Sequence, residues 1–183
     1  MAELDRRPVI GGSKENDFCF DINKEIRRHP YVCMKKKIIL CRGIQASGKS
    51  TFSKEWAQEA PDKRVRLCYD DLRWMMGGTN GYWVPSREHM LGKLRDSFMA
   101  AAMAKGYDII IDNMNLNPKE VEYYKTLVSK NPSYELEYHD FFDVSLQECI
   151  RRDSLRPSPI GAAVLTATYN RYKNIIEGKE GSK

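Results

Sequence analysis

The sequence lacks a long hydrophobic run, a paired cysteine motif and a cluster of histidines. No apolar run approaches the roughly 20 residues that a membrane-spanning helix needs, and the N-terminus lacks the apolar stretch of a secretory signal. The five cysteines include no CxxC pair, which argues against both a zinc site and a disulfide framework. His29, His89 and His139 are isolated and have no metal-ligand spacing. We therefore expect a protein without a membrane segment that works in a reducing cytoplasm.

Positive charges exceed negative charges only slightly. The chain has 30 Lys and Arg against 25 Asp and Glu, a net charge of +5 over 183 residues. Residues 1–33 hold six of each kind, so the surplus of 24 over 19 lies in residues 34–183. A mild basic surplus suits an anionic substrate such as nucleic acid, but it does not identify one, because many basic proteins bind no nucleic acid.

A change of composition near residue 34 predicts a domain boundary. Residues 1–33 are polar and irregular, with Pro8 and Gly11-Gly12 as breakers, and they allow at most a short helix near 21–28. Three lysines and the apolar run 38–41 then begin a different pattern. We expect residues 1–33 to form an N-terminal extension or tail, with an interaction arm as the alternative. Residues 34–183 should form one folded domain.

Strand patterns and helical patterns alternate from residue 37 to residue 176. This alternation predicts an α/β fold with a parallel sheet. The expected strands are 37–42, 65–69, 107–111 and 134–142, and the expected helices are 49–59, 71–76, 86–105, one from 118 after an Asn117 cap, 145–155 and 160–176. In the long helix, Met90, Leu94, Phe98 and Ala101 should share a buried face. The other methionines at helical spacing are also expected in the core; they are Met75, Met76, Met99 and Met103.

The strongest signal is the segment Gly43-Ile-Gln-Ala-Ser-Gly-Lys-Ser50, which follows the pattern G-x-x-x-x-G-K-[ST] between a strand and a helix. Such a loop turns backbone N–H groups inward around phosphate oxygens, and the helix N-terminus adds partial positive charge. Lys49 should reach the β- and γ-phosphates, and the Ser50 hydroxyl should bind Mg²⁺. The expected contacts of ATP, or of another nucleoside triphosphate, are Gly43, Ala46, Ser47, Gly48, Lys49, Ser50 and Thr51.

An acidic and basic segment, Asp70-Asp71-Leu72-Arg73, follows the second strand at the carboxyl edge of the sheet, where ligands of such sheets bind. A kinase needs a carboxylate that orients the acceptor hydroxyl and takes its proton, and we assign this role to Asp70. Arg73 lies one helical turn further on and is expected to hold an acceptor phosphate. In the alternative interpretation, Asp70 or Asp71 only caps the helix.

The end of the third strand, Ile109-Ile110-Ile111-Asp112, is typical of a Walker B carboxylate. Asp112 should hold Mg²⁺ through water or orient Lys49, and capping or hydrogen bonding to a loop is the alternative. Asn113 and Asn115 place amides on the same edge, and Asn115 is expected to contact the acceptor.

Two further groups of side chains flank these motifs. Three arginines precede a Pro-Ser-Pro break, namely Arg151, Arg152 and Arg156. They are expected to form a lid over the triphosphate, and the alternative is a solvated helix face. Three aromatic residues around a glycine-rich loop fit either nucleobase stacking or core packing; they are Trp74, Tyr82 and Trp83.

In the order of these motifs, the chain resembles the 5′-hydroxyl kinase domain of phage-type polynucleotide kinases over residues 34–176. Besides the P-loop, the similar elements are the D-D-x-R segment 70–73, the N-L-N-P segment 115–118, Phe142-Asp-Val144 and the spacing of Arg152 and Arg156. The resemblance implies a four-stranded parallel sheet of order 2-3-1-4, with helices on both faces and a helical lid. It also implies that Asp70 is the general base, that Arg73 binds the phosphate 3′ of the acceptor nucleotide, and that the two arginines contact the donor phosphates.

Two departures limit what the resemblance implies. Asp112 stands one position before the family's acidic residue when the N-L-N segments are aligned. The phage enzyme also contains a phosphatase domain, whereas this sequence has no D-x-D-G-T motif, so a 3′-phosphatase activity is not implied.

We therefore expect an ATP-dependent, Mg²⁺-requiring polynucleotide 5′-hydroxyl kinase that acts on a DNA or RNA end. The expected catalytic residues are Lys49, Asp70, Arg152 and Arg156, the acceptor contacts are Asp70, Arg73, Asp112 and Asn115, and the metal contacts are Ser50 and Asp112. The alternatives are a kinase for hydroxymethylated bases in DNA, a small-molecule kinase, and a non-catalytic nucleotide-binding module of a repair or ligase assembly. The pairing of Lys49 with Asp70 argues against the last alternative.

Overall fold

A computed structural model describes residues 35–77 and 84–178 of the chain. The strands are β1 (Lys36–Arg42), β2 (Arg64–Leu67), β3 (Asp108–Ile111) and β4 (Tyr134–Asp140). The helices are α1 (Lys49–Gln58), α2 (Tyr69–Gly77), α3 (Pro85–Ala104), α4 (Pro118–Ser129), α5 (Leu146–Ser154), α6 (Ala162–Arg171) and α7 (Lys173–Ile176). The predicted tail 1–33 with its short helix, and the aromatic residues Tyr82 and Trp83, lie outside the described residues.

The four strands form one parallel sheet of order β2-β3-β1-β4, as predicted. Side chains of β1 alternate between its two faces. Ile38 and Leu40 pack in one core cluster with residues of α3 and α4, whereas Ile39 packs with residues of α1 in another. The helices therefore cover both faces of the sheet, and the carboxyl ends of β2, β3 and β1 lie side by side at one edge.

Three predicted boundaries shift in the structure. Strand β2 ends at Leu67 and α2 begins at Tyr69, so Asp70 lies in the first turn of a helix rather than after a strand. Strand β4 ends at Asp140 instead of residue 142. The last predicted helix is two helices, because Tyr172 has the non-helical torsions φ −112° and ψ 17° between α6 and α7. The predicted cap of α4 is confirmed, since the Asn117 side chain accepts a hydrogen bond from an N–H of the first turn.

The predicted core residues of the long helix are confirmed only in part. Met99 is buried, and Phe98 and Met103 pack against the main core cluster, as predicted. Leu91, Met99 and Ala102 are the buried residues of α3, whereas Met90 and Ala101 are exposed. The second half of this helix is almost continuously apolar, so more than one stripe fits the helical period, and packing against the sheet selects a neighbouring one. Met75, also expected in the core, is exposed on α2.

Within the described residues, none of the helices combines the length and the apolar character that crossing a membrane requires.

Candidate phosphoryl-transfer site

The glycine-rich loop connects the end of β1 to the start of α1 in a conformation that depends on small residues. Gly48 and Ala46 have positive φ angles of 109° and 61°. A Cβ atom on Gly43 would lie 2.9 Å from Ser47 Oγ and 3.1 Å from Phe141 Cβ, so a side chain at position 43 would clash. The loop therefore wraps closely at the N-terminus of α1, where backbone N–H groups and the helix dipole favour an anion.

Lys49 is folded back into this loop. Its ammonium donates hydrogen bonds to the carbonyl of Ile44 at 2.6 Å and to Ser47 Oγ at 3.4 Å. Burial of the side chain lowers the pKa of Lys49 to about 8, against the opposing effect of Asp112. A phosphate in the loop offers this amine a charged acceptor in place of neutral ones.

A cavity of about 380 Å³ lies directly over the loop. Its lining residues are Ala46, Gly48, Lys49, Ser50, Thr51, Arg152 and Arg156. Three cationic side chains around one small polar cavity fit the triphosphate of a nucleotide, and we call this cavity the phosphate cavity. The structure thus brings the predicted donor-binding residues together.

The two lid arginines come from α5 and the turn that follows it. Arg152 donates from Nη1 to the Ser47 carbonyl at 3.3 Å and from Nε to Glu148 at 2.7 Å. Arg156 lies 3.7 Å from the buried carboxylate of Asp153, which accepts a hydrogen bond from the N–H of Gly161. Asp153 therefore joins the end of α5 to the start of α6 beneath the lid.

Arg151, the third predicted lid residue, has a different environment. Its side chain is 62% exposed and it pairs with Glu148. Hydrogen bonds from Arg151 and Arg152 lower the pKa of Glu148 to about 2. Because Arg151 does not line the cavity, the alternative of a solvated helix face describes it better.

Ser50 and Asp112 form the predicted metal pair. The Ser50 hydroxyl donates to Asp112 Oδ1 at 3.1 Å, and the carboxylate of Asp112 is buried. A hydroxyl and a carboxylate are oxygen ligands of the kind that Mg²⁺ prefers, and the phosphate cavity adjoins Ser50. These residues therefore fit a Mg²⁺ ion.

Arg66 of β2 is a site residue that the sequence analysis missed. Its Nε and Nη2 both donate to Asp112 Oδ2, at 2.9 and 2.5 Å, and Nη1 pairs with Asp71. It thereby neutralises the buried carboxylate and leaves Oδ1 directed to Ser50. The available signal was a charged residue between Val65 and Leu67 in a strand of a parallel sheet, where apolar side chains are usual.

The predicted acceptor residues Asp70 and Arg73 lie on α2, which begins at Tyr69. Arg73 donates from Nη1 to Asp70 Oδ1 at 2.8 Å, and its Nε and Nη2 bind the carboxylate of Glu88 at 3.1 and 3.0 Å. The Asp70 side chain is 75% exposed, so it is available to a ligand from solvent. Glu88 was also missed, because it comes from another helix and no local pattern marks it.

Asn115 has a role that the sequence analysis did not predict. It is buried, and its Nδ2 donates to the carbonyls of Cys41 at 2.7 Å, Ile111 at 3.0 Å and Asn113 at 3.2 Å. These bonds tie the ends of β1 and β3 together beneath the loop. A buried amide that binds three backbone carbonyls is a structural support, and the acceptor contact of Asn115 stays a prediction.

Trp74 lies on α2, one residue after Arg73, and is 51% exposed. The interpretation as a core residue is therefore wrong for Trp74.

Comparison with known proteins identifies the fold. A family model described as an AAA domain, AAA_33, matches residues 38–177. A solved structure of the Pnkp1/Rnl/Hen1 RNA repair complex contains a chain that is 21% identical, with a TM-score of 0.64 over 81% of this chain and 47% of that one. Another structure of a Pnkp1/Rnl/Hen1 complex is 24% identical, with a TM-score of 0.54 over 65% of this chain and 39% of that one. The chain thus spans less than half the length of either. No curated protein matched in the sequence search.

Proposed function

The chain belongs to the AAA_33 family of AAA domains and has a P-loop kinase-like fold, and on this basis we propose that it is an ATP-dependent, Mg²⁺-requiring polynucleotide kinase. The reaction transfers the γ-phosphoryl group to the 5′-hydroxyl of DNA or RNA. Residues 34–183 are the kinase domain in this proposal, and residues 1–33 are an appended tail.

The observation that carries the proposal is the pairing of Asp70 with Arg73 on the same sheet edge as the phosphate cavity. One group can accept a proton from a hydroxyl and the other can bind a phosphate. A 5′-terminal nucleotide within a strand offers both a 5′-hydroxyl and a 3′-phosphate, so this pair matches the chemistry of a polynucleotide end. A small alcohol without a phosphate would leave Arg73 without a ligand.

The chain's own residues account for the transfer step. Asp70 orients the 5′-hydroxyl and takes its proton while the oxygen bonds to the γ-phosphorus and the bond to the β–γ bridging oxygen breaks. Lys49, Arg152 and Arg156 neutralise the charge that develops on the phosphate oxygens. A Mg²⁺ ion bound through Ser50 and Asp112 would supply further charge neutralisation and alignment of the phosphates.

Arg73 couples acceptor binding to the activation of Asp70. Glu88 holds the Nε and Nη2 side of the guanidinium, so Nη1 is the donor directed to Asp70. An acceptor phosphate that binds Nη1 takes the place of the Asp70 carboxylate, which is then available to the hydroxyl. The similar chain in the Pnkp1/Rnl/Hen1 RNA repair complex agrees with a nucleic-acid end as the substrate.

An acceptor panel with labelled ATP tests the proposal. We expect kcat/KM to be highest for a 5′-hydroxyl oligonucleotide, lower for thymidine 3′-monophosphate and far lower for thymidine. Arg73→Ala should remove the advantage of the 3′-phosphate, because it removes a charge-assisted contact close to the reacting hydroxyl. Arg87→Ala is the matched control, since Arg87 is an exposed cation next to α2 whose side chain donates to the backbone carbonyl of Met76.

Other outcomes identify other functions. Equal use of thymidine and its 3′-monophosphate would assign a small-molecule kinase. Labelling of hydroxymethylated duplex DNA alone would assign a base kinase. Nucleotide binding without transfer to any acceptor would assign a binding module.

A further inference from the structure

Helix α2 has a packed side and a solvent side that differ in character. Tyr69 and Leu72 pack against the main core cluster, and the Arg73 guanidinium contacts Glu88 of α3. Asp70 and Trp74 are both exposed, and they are four residues apart on the same face. The face that carries the carboxylate therefore also carries a large aromatic ring in water.

The spacing places this ring within the reach of one nucleotide from Asp70. Four residues of helix rise about 6 Å along the axis. Side chains of a helix lean toward its N-terminus, so the surface that Trp74 covers lies toward Asp70. Around the helix axis, Arg73 is on one side of Asp70 and Trp74 is on the other, because residues are about 100° apart.

We propose that Trp74 is the stacking platform for the nucleobase of the acceptor's 5′-terminal nucleotide. This inference rests on the proposed polynucleotide kinase function and extends it to a binding subsite. The three groups on the helix then correspond to the three parts of the nucleotide. Asp70 binds the 5′-hydroxyl, Arg73 binds the 3′-phosphate, and Trp74 binds the base.

The chemistry of the surface favours a base over another apolar ligand. An aromatic ring next to a carboxylate and a guanidinium lies at the edge of a charged pair, which favours a ligand that has both an apolar face and polar groups. A nucleobase presents a flat π-face that stacks on tryptophan whatever its sequence. The subsite therefore predicts a requirement for a base at the end of the strand, with little preference among the four bases.

The neighbouring Met75 is a built-in control. It is more exposed than Trp74, at 67% against 51%, and is equally apolar surface on the same helix. Five residues from Asp70 correspond to about 140° around the helix, so Met75 is directed away from the carboxylate. Removal of exposed apolar surface alone would give Met75→Ala and Trp74→Ala the same effect.

The test compares two oligonucleotides of one sequence, both with a free 5′-hydroxyl and an intact 3′-phosphodiester. One ends in an ordinary nucleotide and the other ends in an abasic tetrahydrofuran residue. We expect wild type to lose about 5- to 150-fold in kcat/KM on the abasic end, the range of one base–aromatic stack. Trp74→Ala should lose a similar factor on the ordinary end, chiefly in KM, and nothing on the abasic end. Trp74→Phe should recover most of the loss, and Met75→Ala should behave as wild type on both.

Each outcome of this test supports or overturns the stacking role of Trp74. Equal wild-type activity on the two ends overturns the stacking role and leaves the kinase function standing. Absence of activity on both ends, with ATP still bound, overturns both proposals. A loss in Trp74→Ala that is the same on both ends assigns the residue to folding, and a dimer that becomes a monomer in Trp74→Ala by sedimentation assigns this surface to a second copy of the chain.

Discussion

Arg66 binds one oxygen of the Asp112 carboxylate through two nitrogens and leaves the other oxygen to Ser50. The pair joins the ends of β2 and β3 at the edge where the donor and acceptor residues lie. Both side chains are largely buried, at 13% and 1% exposure, so solvent screens the interaction little. Asp112 is thereby fixed in one orientation before any ligand binds.

Removal of Arg66 should strongly destabilise the fold. Arg66→Met leaves the Asp112 carboxylate buried without its hydrogen-bonded countercharge, and breaking such a pair costs about 3–5 kcal/mol. Urea denaturation measures the loss. Arg64→Met on the same strand is the control, with a smaller expected loss of about 1–2 kcal/mol, because its ionic partner Glu59 is exposed and it also donates to the Trp56 carbonyl at 2.9 Å. The double variant Arg66→Met, Asp112→Asn should be more stable than Arg66→Met, because it has no buried carboxylate left unpaired. Equal stability of the single and double variants would contradict this explanation.

Asp70→Asn should reduce the rate of transfer and leave ATP binding unchanged. The amide cannot take the proton of the hydroxyl, and loss of a general base costs about 10²–10⁴ in rate. Single-turnover kinetics and nucleotide titration measure the two quantities. Asp71→Asn should be much more active, because Asp71 pairs with Arg66 instead. The opposite order of the two variants would exchange their roles.

Arg152→Ala should lower the transfer rate by about 10²–10³, the loss expected when one preorganised donor to the charge that develops in the transition state is removed. Arg151→Ala is its control, because both arginines leave the same helix and bind the same Glu148. Of these two arginines, Arg152 lines the phosphate cavity and Arg151 does not. Equal losses in the two variants would show that the effect comes from Glu148 rather than from the phosphates.

Nucleotide binding should take up a proton near pH 8. Burial lowers the pKa of Lys49 to about 8 in the free protein, whereas a bound triphosphate favours the charged amine and raises that pKa. The complex then holds more protons than the free protein, so ATP affinity falls as pH rises above 8, and uptake at pH 8 is about half a proton. Calorimetry in buffers of different ionisation enthalpy measures it. Lys49→Arg stays charged and should show none of this uptake, and uptake that persisted in this variant would assign the proton to another group.

Asn115 supports two strand ends and also has a positive φ angle of 48°. Asn115→Ala loses the hydrogen bonds. It also places alanine in a left-handed backbone conformation, which alanine disfavours because of its Cβ atom. Asn115→Gly loses the same bonds but adopts that conformation freely. We expect both to be destabilised, by about 1–3 kcal/mol for the unpaired carbonyls, with alanine worse by about 1 kcal/mol in thermal unfolding. Equal stability of the two variants would show that the backbone is not strained at this position.

The parts of the site that could be predicted from the sequence are those that a short segment defines. The loop 43–50, the Ser50 hydroxyl and the Asp70–Arg73 turn carry their chemistry in local spacing, and the structure brings them to one edge. Arg66 and Glu88 could not be predicted in the same way. Their partners are 46 and 15 residues away, and only the register of β2 with β3 and the packing of α3 on α2 bring them together.

Asn115 shows the limit of reasoning from position alone. Its place after a strand put it correctly at the carboxyl edge of the sheet. Whether its amide faces a ligand or the backbone depends on a single torsion and on free carbonyls nearby, which no pattern in the sequence encodes. The buried face of α3 could be predicted only in part for a related reason, since its run of Met and Ala is apolar in every direction.

The sheet order has a consequence for synthesis of the protein. Strand β1 leads into the phosphate-binding loop and pairs with β3 and β4. Arg42 of β1 donates a hydrogen bond to Asp140, which is 98 residues later in the chain. At the usual elongation rate of about 5–20 residues per second, the loop leaves the ribosome about 5–20 seconds before the strand that flanks it. A nascent chain therefore carries its nucleotide-binding motif for some time without the framework that shapes it, and ribosome-bound chains that end before β4 should not retain nucleotide.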